Sequence, residues 1–203
     1  MIKGNNSVTL MTSYPDIIAQ CQIAEHAGRL SHDSVSKMTP ESYGDFLNHL
    51  IKLGHTSVLE HITISFLIET SISASREIIR HRHCSFTEKS TRYCDFSEEI
   101  KVVYDAEEFG VEILENVKDF IALQYKAGKS FGLPNDTIRE MLPLMTGTKL
   151  EMTTNLREWA YFIKLRETKA AHPVVRDIAR QIKSSLQEIV PWVFEKETKN
   201  EVY

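Results

Sequence analysis

Between Ile78 and Phe96 the chain reads IIRHRHCSFTEKSTRYCDF. Arg80, His81, Arg82 and His83 stand in a row, and Ser85, Thr87, Ser90 and Thr91 follow, with Arg92 and Tyr93 behind them. From Arg76 to Arg92 five cations (Arg76, Arg80, Arg82, Lys89, Arg92) stand against two carboxylates (Glu77, Glu88), a local balance of +3 in a chain whose formal net charge is −4. Guanidinium groups beside hydroxyls and loop amides are the donors that a phosphate or pyrophosphate needs, because arginine supplies paired, directional, charge-assisted bonds. Arginines after a helix also cap its last carbonyls or pair with surface carboxylates, and that reading serves for any one of them. It serves poorly for the cluster, since cations this close repel unless an anion offsets them.

Other residues nearby carry chemistry less specifically. His81-x-His83-Cys84, with His55 and His61, suggests zinc, but a second Cys/His pair at ligand spacing is missing, so no metal site is expected. Cys21, Cys84 and Cys94 form an odd set without a C-x-x-C pair, and they read as reduced thiols in a cytoplasmic protein rather than as nucleophiles. In GHTSVLEH, Gly54 to His61, the His55 ring either stacks on a cofactor or simply ends a helix, with Ser57 and Glu60 close by. In NLREWAYFIKLRETKAAHP, Asn155 is placed to cap a helix and Arg166 falls near its far end, where a cation suits the dipole.

The elements that must position these groups follow from periodicity. A first helix is expected from Pro15, with Ile17, Ile18, Cys21 and Ala24 at helical spacing. A second has Thr39 as N-cap, Pro40 in its first turn and Gly54 at its end. Ile62, Ile64, Phe66 and Ile68 alternate with polar positions as a strand does, and so do Thr148, Leu150, Met152 and Thr154. Ser73 to His81 reads as a helix with Arg76 and Arg80 on one face, leading into a loop. A long acidic helix spans about Glu107 to Ala127 and closes at Gly128; a shorter one runs from Pro134 to near Pro143. Asn155 to Glu158 resembles a capping box, and a last helix follows His172-Pro173 as far as Ile189.

The sum is an α+β fold, helices around a small antiparallel sheet, in a single domain of residues 1–203. With 203 residues, 42% of them hydrophobic and 26% charged, the chain can bury a real core. Its acidic balance gives no general pull toward nucleic acid or anionic lipid. No window approaches the roughly 18 apolar residues of a membrane span. The opening MIKGNNSVTLMTSYP lacks a long apolar run and a small-residue cleavage pattern, so no signal peptide is expected.

Arg80-His81-Arg82, then seven residues, then Ser90, with Ser85, Arg92 and Tyr93, resembles the signature of the flavin-dependent thymidylate synthases. Gly54-His55 through Glu60-His61 is similar to that family's upstream flavin segment, and Arg29-Leu30-Ser31 to its N-terminal phosphate-contacting piece. Arg139 with Leu142-Pro143, then Asn155, Arg157 and Leu165-Arg166, resembles the downstream half of the site. The resemblance implies conversion of dUMP to dTMP, a methyltransferase reaction in which methylenetetrahydrofolate gives the carbon and FAD, reduced by NADPH, gives the hydride. It also implies a homotetramer with active sites shared between subunits. By the same resemblance Glu88, Ser90, Arg92 and Arg139 bind dUMP, and Arg166 meets the uracil ring. Ser31, His55, Ser57, Glu60, Arg80, His81, Arg82 and Asn155 line the FAD site. Arg166 and Ser90 stand as the catalytic pair, Ser90 as a binding hydroxyl rather than a nucleophile. Glu77, Thr87 and Tyr161 depart from the family pattern, the first replacing a glutamine near the nucleotide and the other two replacing asparagines.

A binding module for nucleotide or RNA, using the Arg-His loop without catalysis, is the alternative from another class. Against it, no aromatic strip is interleaved with the basic residues. A histidine-based metal hydrolase is the third reading, and bound flavin separates it from the first.

Overall fold

The structure is a computed structural model that describes residues 6–96 and 111–194. Its centre is an antiparallel sheet of β1 (Ser7–Leu10), β2 (Thr63–Ser71), β3 (Ser85–Glu88) and β4 (Gly147–Asn155), in the spatial order β1-β2-β4-β3. The two long strands are the expected ones. They pair along their whole length, Thr63 opposite Asn155 and Ser71 opposite Gly147, so Ile64, Phe66 and Ile68 share one face with Leu150, Met152 and Thr154. That face is buried. Seven α-helices are seen among the described residues. Of these, α1 (Tyr14–Leu30), α6 (Leu156–Arg166) and α7 (Pro173–Ile189) supply most of the helical core. On α1 the core residues Ile17, Cys21, Ala24 and Gly28 recur at steps of three and four, as a helix with one apolar stripe requires.

Several boundaries differ from expectation for local reasons. α2 spans Tyr43–Lys52 and does not begin at Pro40. The Ser42 hydroxyl accepts from Thr39 N–H at 2.9 Å and Ser42 N–H donates to Thr39 C=O at 3.2 Å, which closes a turn ahead of the helix. Gly54 does end it, at φ +81°, and His55 N–H reaches back to Leu50 C=O at 2.8 Å. The acidic helix, α4 (Val111–Ser130), passes through Gly128 and stops before Gly132, whose φ is +76°. Gly128 is a packing glycine: a Cβ there would lie 3.3 Å from Ile138 Cγ1 on α5 (Asn135–Ile138). The expected start of that helix at Glu107 lies outside the described residues. After α5 the chain continues as a 3-10 turn, Arg139–Met141, so the predicted short helix is two pieces.

Two corrections bear on function. α3 is Ile72–Ile78, capped by the Ser71 hydroxyl, which accepts from Ala74 N–H at 3.2 Å. Arg80 and His81 therefore fall beyond the helix, and Arg76 and Arg80 do not share a helical face. The charged segment is also not all loop. Ser85 to Glu88 form β3, paired with β4 from Ser85 opposite Thr153 to Glu88 opposite Leu150, and Lys89 N–H extends the ladder to Lys149 C=O at 2.8 Å. Four-residue edge strands such as β1 and β3 are too short for alternation to reveal them.

Candidate active site

The end of β3, α3 and the 3-10 turn at Arg139 enclose a cavity of about 630 Å³. Arg76, Lys89 and Arg139 line it with Glu88, Glu140 and the hydroxyl residues Ser75, Ser90 and Thr91, over an apolar wall of Ile72, Ile79, Leu142 and Leu144. β3 sets Glu88 at the rim, where its carboxylate accepts from the Thr148 hydroxyl at 3.0 Å. The Ser90 hydroxyl accepts from Arg92 N–H at 3.2 Å, which folds the chain into a turn just past the strand. That turn is tied down by a second, smaller core of Phe96, Tyr125 and Ile138, where the Tyr125 hydroxyl accepts from Phe96 N–H at 3.2 Å. Lys129 pairs with Asp95 at 3.1 Å on the same side.

Three of the five residues expected at the nucleotide, Glu88, Ser90 and Arg139, thus meet in one cavity. Arg92 is exposed beside it, 4.0 Å from Asp136 and with its guanidinium 5.5 Å from the centre of the Tyr93 ring. Arg166 is not in the cavity wall. At the end of α6 its side chain reaches the end of α3, its Nε donating to His81 Nε2 at 2.9 Å and its Nη2 to Glu77 C=O at 3.2 Å. The Glu77 carboxylate is 3.7 Å from Arg166 Nη1, so this carboxylate is answered by Arg166 rather than by Arg76 or Arg80.

The residues expected at the flavin fall in two places. Ser31 follows α1, with its hydroxyl on Gly28 C=O at 2.9 Å. His55, Ser57 and Glu60 are exposed on the 3-10 segment after α2. Glu60 pairs with Arg157, which ties that segment to the start of α6. There Asn155 caps the helix, its Oδ1 accepting from Glu158 N–H at 2.9 Å. Arg80 and Arg82 lie beyond α3, exposed and without a side-chain hydrogen bond or ion pair among the described residues. His81 between them is turned inward and buried, its ring 4.8 Å from that of Phe162.

Burial first, and then the neighbouring Arg166 charge, hold His81 down at about 4. Burial pushes the Cys84 thiol up to about 11, so it is not a nucleophile near neutral pH. The His81 value has a consequence for stability. An unfolded histidine takes a proton near pH 6.5, which the folded ring refuses until about 4, so the native state is favoured fully above pH 6.5 and loses stability as pH falls through that window. Glu158, whose carboxyl is raised by burial, works in the opposite sense. Urea titrations at pH 7 and pH 4.5 are expected to show the wild type losing about 2–3 kcal/mol more than His81→Gln; equal losses would contradict the buried neutral ring.

Sequence reasoning left Arg76, Lys89 and Thr91 out of the site, although the charge count around the signature contained the first two. It had no signal for Glu158 or for Glu77 as partners of the His81–Arg166 pair. No group of three or more His, Cys, Asp or Glu side chains suited to a metal ion exists among the described residues. No helix among them is long and apolar enough to cross a membrane.

In this α+β protein, arginine, lysine and hydroxyl side chains line one cavity, the kind of donor set that a phosphate monoester requires. Residues 16–192 match the family described as thymidylate synthase complementing protein, and the chain belongs to that family. It is 36% identical over 188 residues to a probable flavin-dependent thymidylate synthase of Mycobacterium phage L5, covering 84% of this chain and 77% of that one. The corresponding protein of Mycobacterium phage D29 is 36% identical over 190 residues, covering 84% and 80%. The flavin-dependent thymidylate synthase of Mycobacterium tuberculosis is 32% identical over 193 residues, covering 85% and 77%.

Proposed function

We propose that this chain is a flavin-dependent thymidylate synthase that methylates dUMP to dTMP, with methylenetetrahydrofolate as carbon donor and FAD reduced by NADPH as hydride source. The observation that carries the reading is the convergence of Glu88, Ser90 and Arg139 on one cationic cavity, joined there by Arg76. The Arg76 and Arg139 guanidiniums supply the charge for the phosphate, and Ser90 with the adjacent backbone fixes its orientation. Arg166 meets the uracil ring. A guanidinium held there stabilises charge drawn onto the ring oxygens, which makes C5 a better nucleophile without an enzyme cysteine.

The residues present suit a dinucleotide flavin, because Arg80 and Arg82 offer a pyrophosphate exposed guanidiniums that have no internal partner among the described residues. Bound FAD would supply the hydride, chemistry that no side chain provides. His55, Ser57, Glu60, Ser31 and Asn155 belong to the same site in this reading. Within one chain they stand apart from the cavity, whose wall holds none of the expected flavin residues. That separation supports sites that combine surfaces of different subunits; in this reading the assembly is a homotetramer of single-domain subunits acting in the cytoplasm.

Release of tritium from 5-tritiated dUMP, dependent on FAD, NADPH and methylenetetrahydrofolate, tests the reaction. A colourless protein that cannot be reconstituted with FAD would favour a plain nucleotide-binding module instead. Arg139→Ala is expected to raise KM for dUMP about tenfold to a hundredfold, the worth of a hydrogen bond to a charged group, with flavin absorbance unchanged. An unaltered KM in steady-state assays would remove Arg139 from the phosphate site.

A further inference from the structure

Among the described residues the hydrogen bonds of Arg166 fall along one edge of its guanidinium. The Nε–H and one Nη2–H of a guanidinium lie side by side, and here both are used, the first by His81 Nε2 at 2.9 Å and the second by Glu77 C=O at 3.2 Å. Among the described residues Nη1 and Nη2, the second edge, make no further hydrogen bond, and the Glu77 carboxylate lies 3.7 Å from Nη1. A ligand oxygen can therefore be met only by that second edge, and the direction in which it points is set by what grips the first.

His81 is turned toward that grip. Its ring is buried against Phe162, and its backbone is committed locally, N–H to Ile78 C=O at 3.1 Å and C=O from Cys84 N–H at 3.2 Å. Since Nε2 accepts from Arg166, the ring proton sits on Nδ1, which faces the Glu158 carboxylate at 3.7 Å. The backbone of Glu158 is held by the Asn155 cap in the first turn of α6, and Arg166 ends the same helix. The arrangement runs Glu158, His81, Arg166, Glu77, with one helix holding its first and third members.

We propose that His81 is a positioning residue for Arg166: its unprotonated Nε2 takes the inner edge of the guanidinium and aims the outer edge at the uracil ring. The inference rests on the role given to Arg166 above and adds what orients it. The burial that keeps the ring uncharged suits this task, because an imidazolium would present a donor to a donor beside a second cation.

The test compares His81→Leu, which fills the space without an acceptor, with His81→Gln, whose amide oxygen can replace Nε2. H81L is expected to lower kcat by about a hundredfold, the cost of misaligning a group that must meet the transition state, while FAD content and KM for dUMP change little. H81Q recovers most of that loss, which a merely structural role would not produce. Independently, 15N spectra of histidine-labelled wild-type protein at pH 7 are expected to show one imidazole protonated at Nδ1 and unprotonated at Nε2, assigned to His81 by its loss in H81Q. Wild-type kcat in H81L, equal loss in H81Q and H81L, or a proton found on Nε2 would each overturn the proposal. If H81L does not fold, the tautomer decides. Absence of wild-type turnover with dUMP would overturn the function reading alone, and the tautomer would still report whether His81 holds Arg166.

Discussion

Arg166→Ala is expected to lower thymidylate formation by about a hundred- to a thousandfold, the usual worth of one preorganised donor at developing charge, while FAD remains bound. Arg166 is oriented by His81 and the Glu77 carbonyl, with the Glu77 carboxylate 3.7 Å from its Nη1. Removing it leaves the His81 acceptor and the Glu77 carboxylate without their partner, so the variant's folding must be checked by circular dichroism alongside tritium release. Arg166→Lys restores the charge without the planar fork and should recover little, because a single ammonium cannot hold one edge and present another. Turnover near the wild-type rate in the alanine variant would remove Arg166 from the chemistry.

The second large effect concerns the frame. Trp159→Ala should cost about 3–5 kcal/mol of stability, read as a shift in the urea midpoint. Trp159 is fully buried, packed edge-on against Phe66 at 5.1 Å and Phe162 at 5.8 Å, and its indole N–H donates to Ile64 C=O at 3.1 Å. It therefore joins α6 to both a ring and the backbone of β2. Trp159→Phe keeps much of the packing and loses mainly the hydrogen bond, so a cost of about 1–2 kcal/mol is expected there. A loss below about 1 kcal/mol in the alanine variant would mean that α6 is held elsewhere.

The parts of the fold that could be read in advance are those whose signal is local. β2 and β4 announce themselves by alternation over many residues, α6 by Asn155 and α7 by His172-Pro173. The parts that could not are set by distant partners. β3 exists because β4 offers it a ladder, and α2 starts late because Ser42 is drawn both to Thr39 and to the buried Glu25, whose carboxylate accepts from its hydroxyl at 2.7 Å. The site divides the same way. Beside the charge-dense signature lies a cavity lined by Arg76, Lys89 and Arg139, and Ser90 meets Arg139 in it. Nothing in the spacing of Arg80, His81 and Arg82 says that the middle residue turns inward while its neighbours stay exposed. That depends on Phe162 and Arg166, some eighty residues away in the chain.

The strand in the middle of the signature makes the gap between Arg82 and Ser90 a rigid ruler rather than a tether. Each residue of β3 advances the chain by about 3.3 Å and alternates its side chains between faces. A single insertion or deletion there would shift Ser90 along the sheet edge and turn Glu88 to the opposite side. Substitutions at its exposed positions Ser85 and Thr87 should be forgiven, whereas a change at Glu88 or any change of length should not.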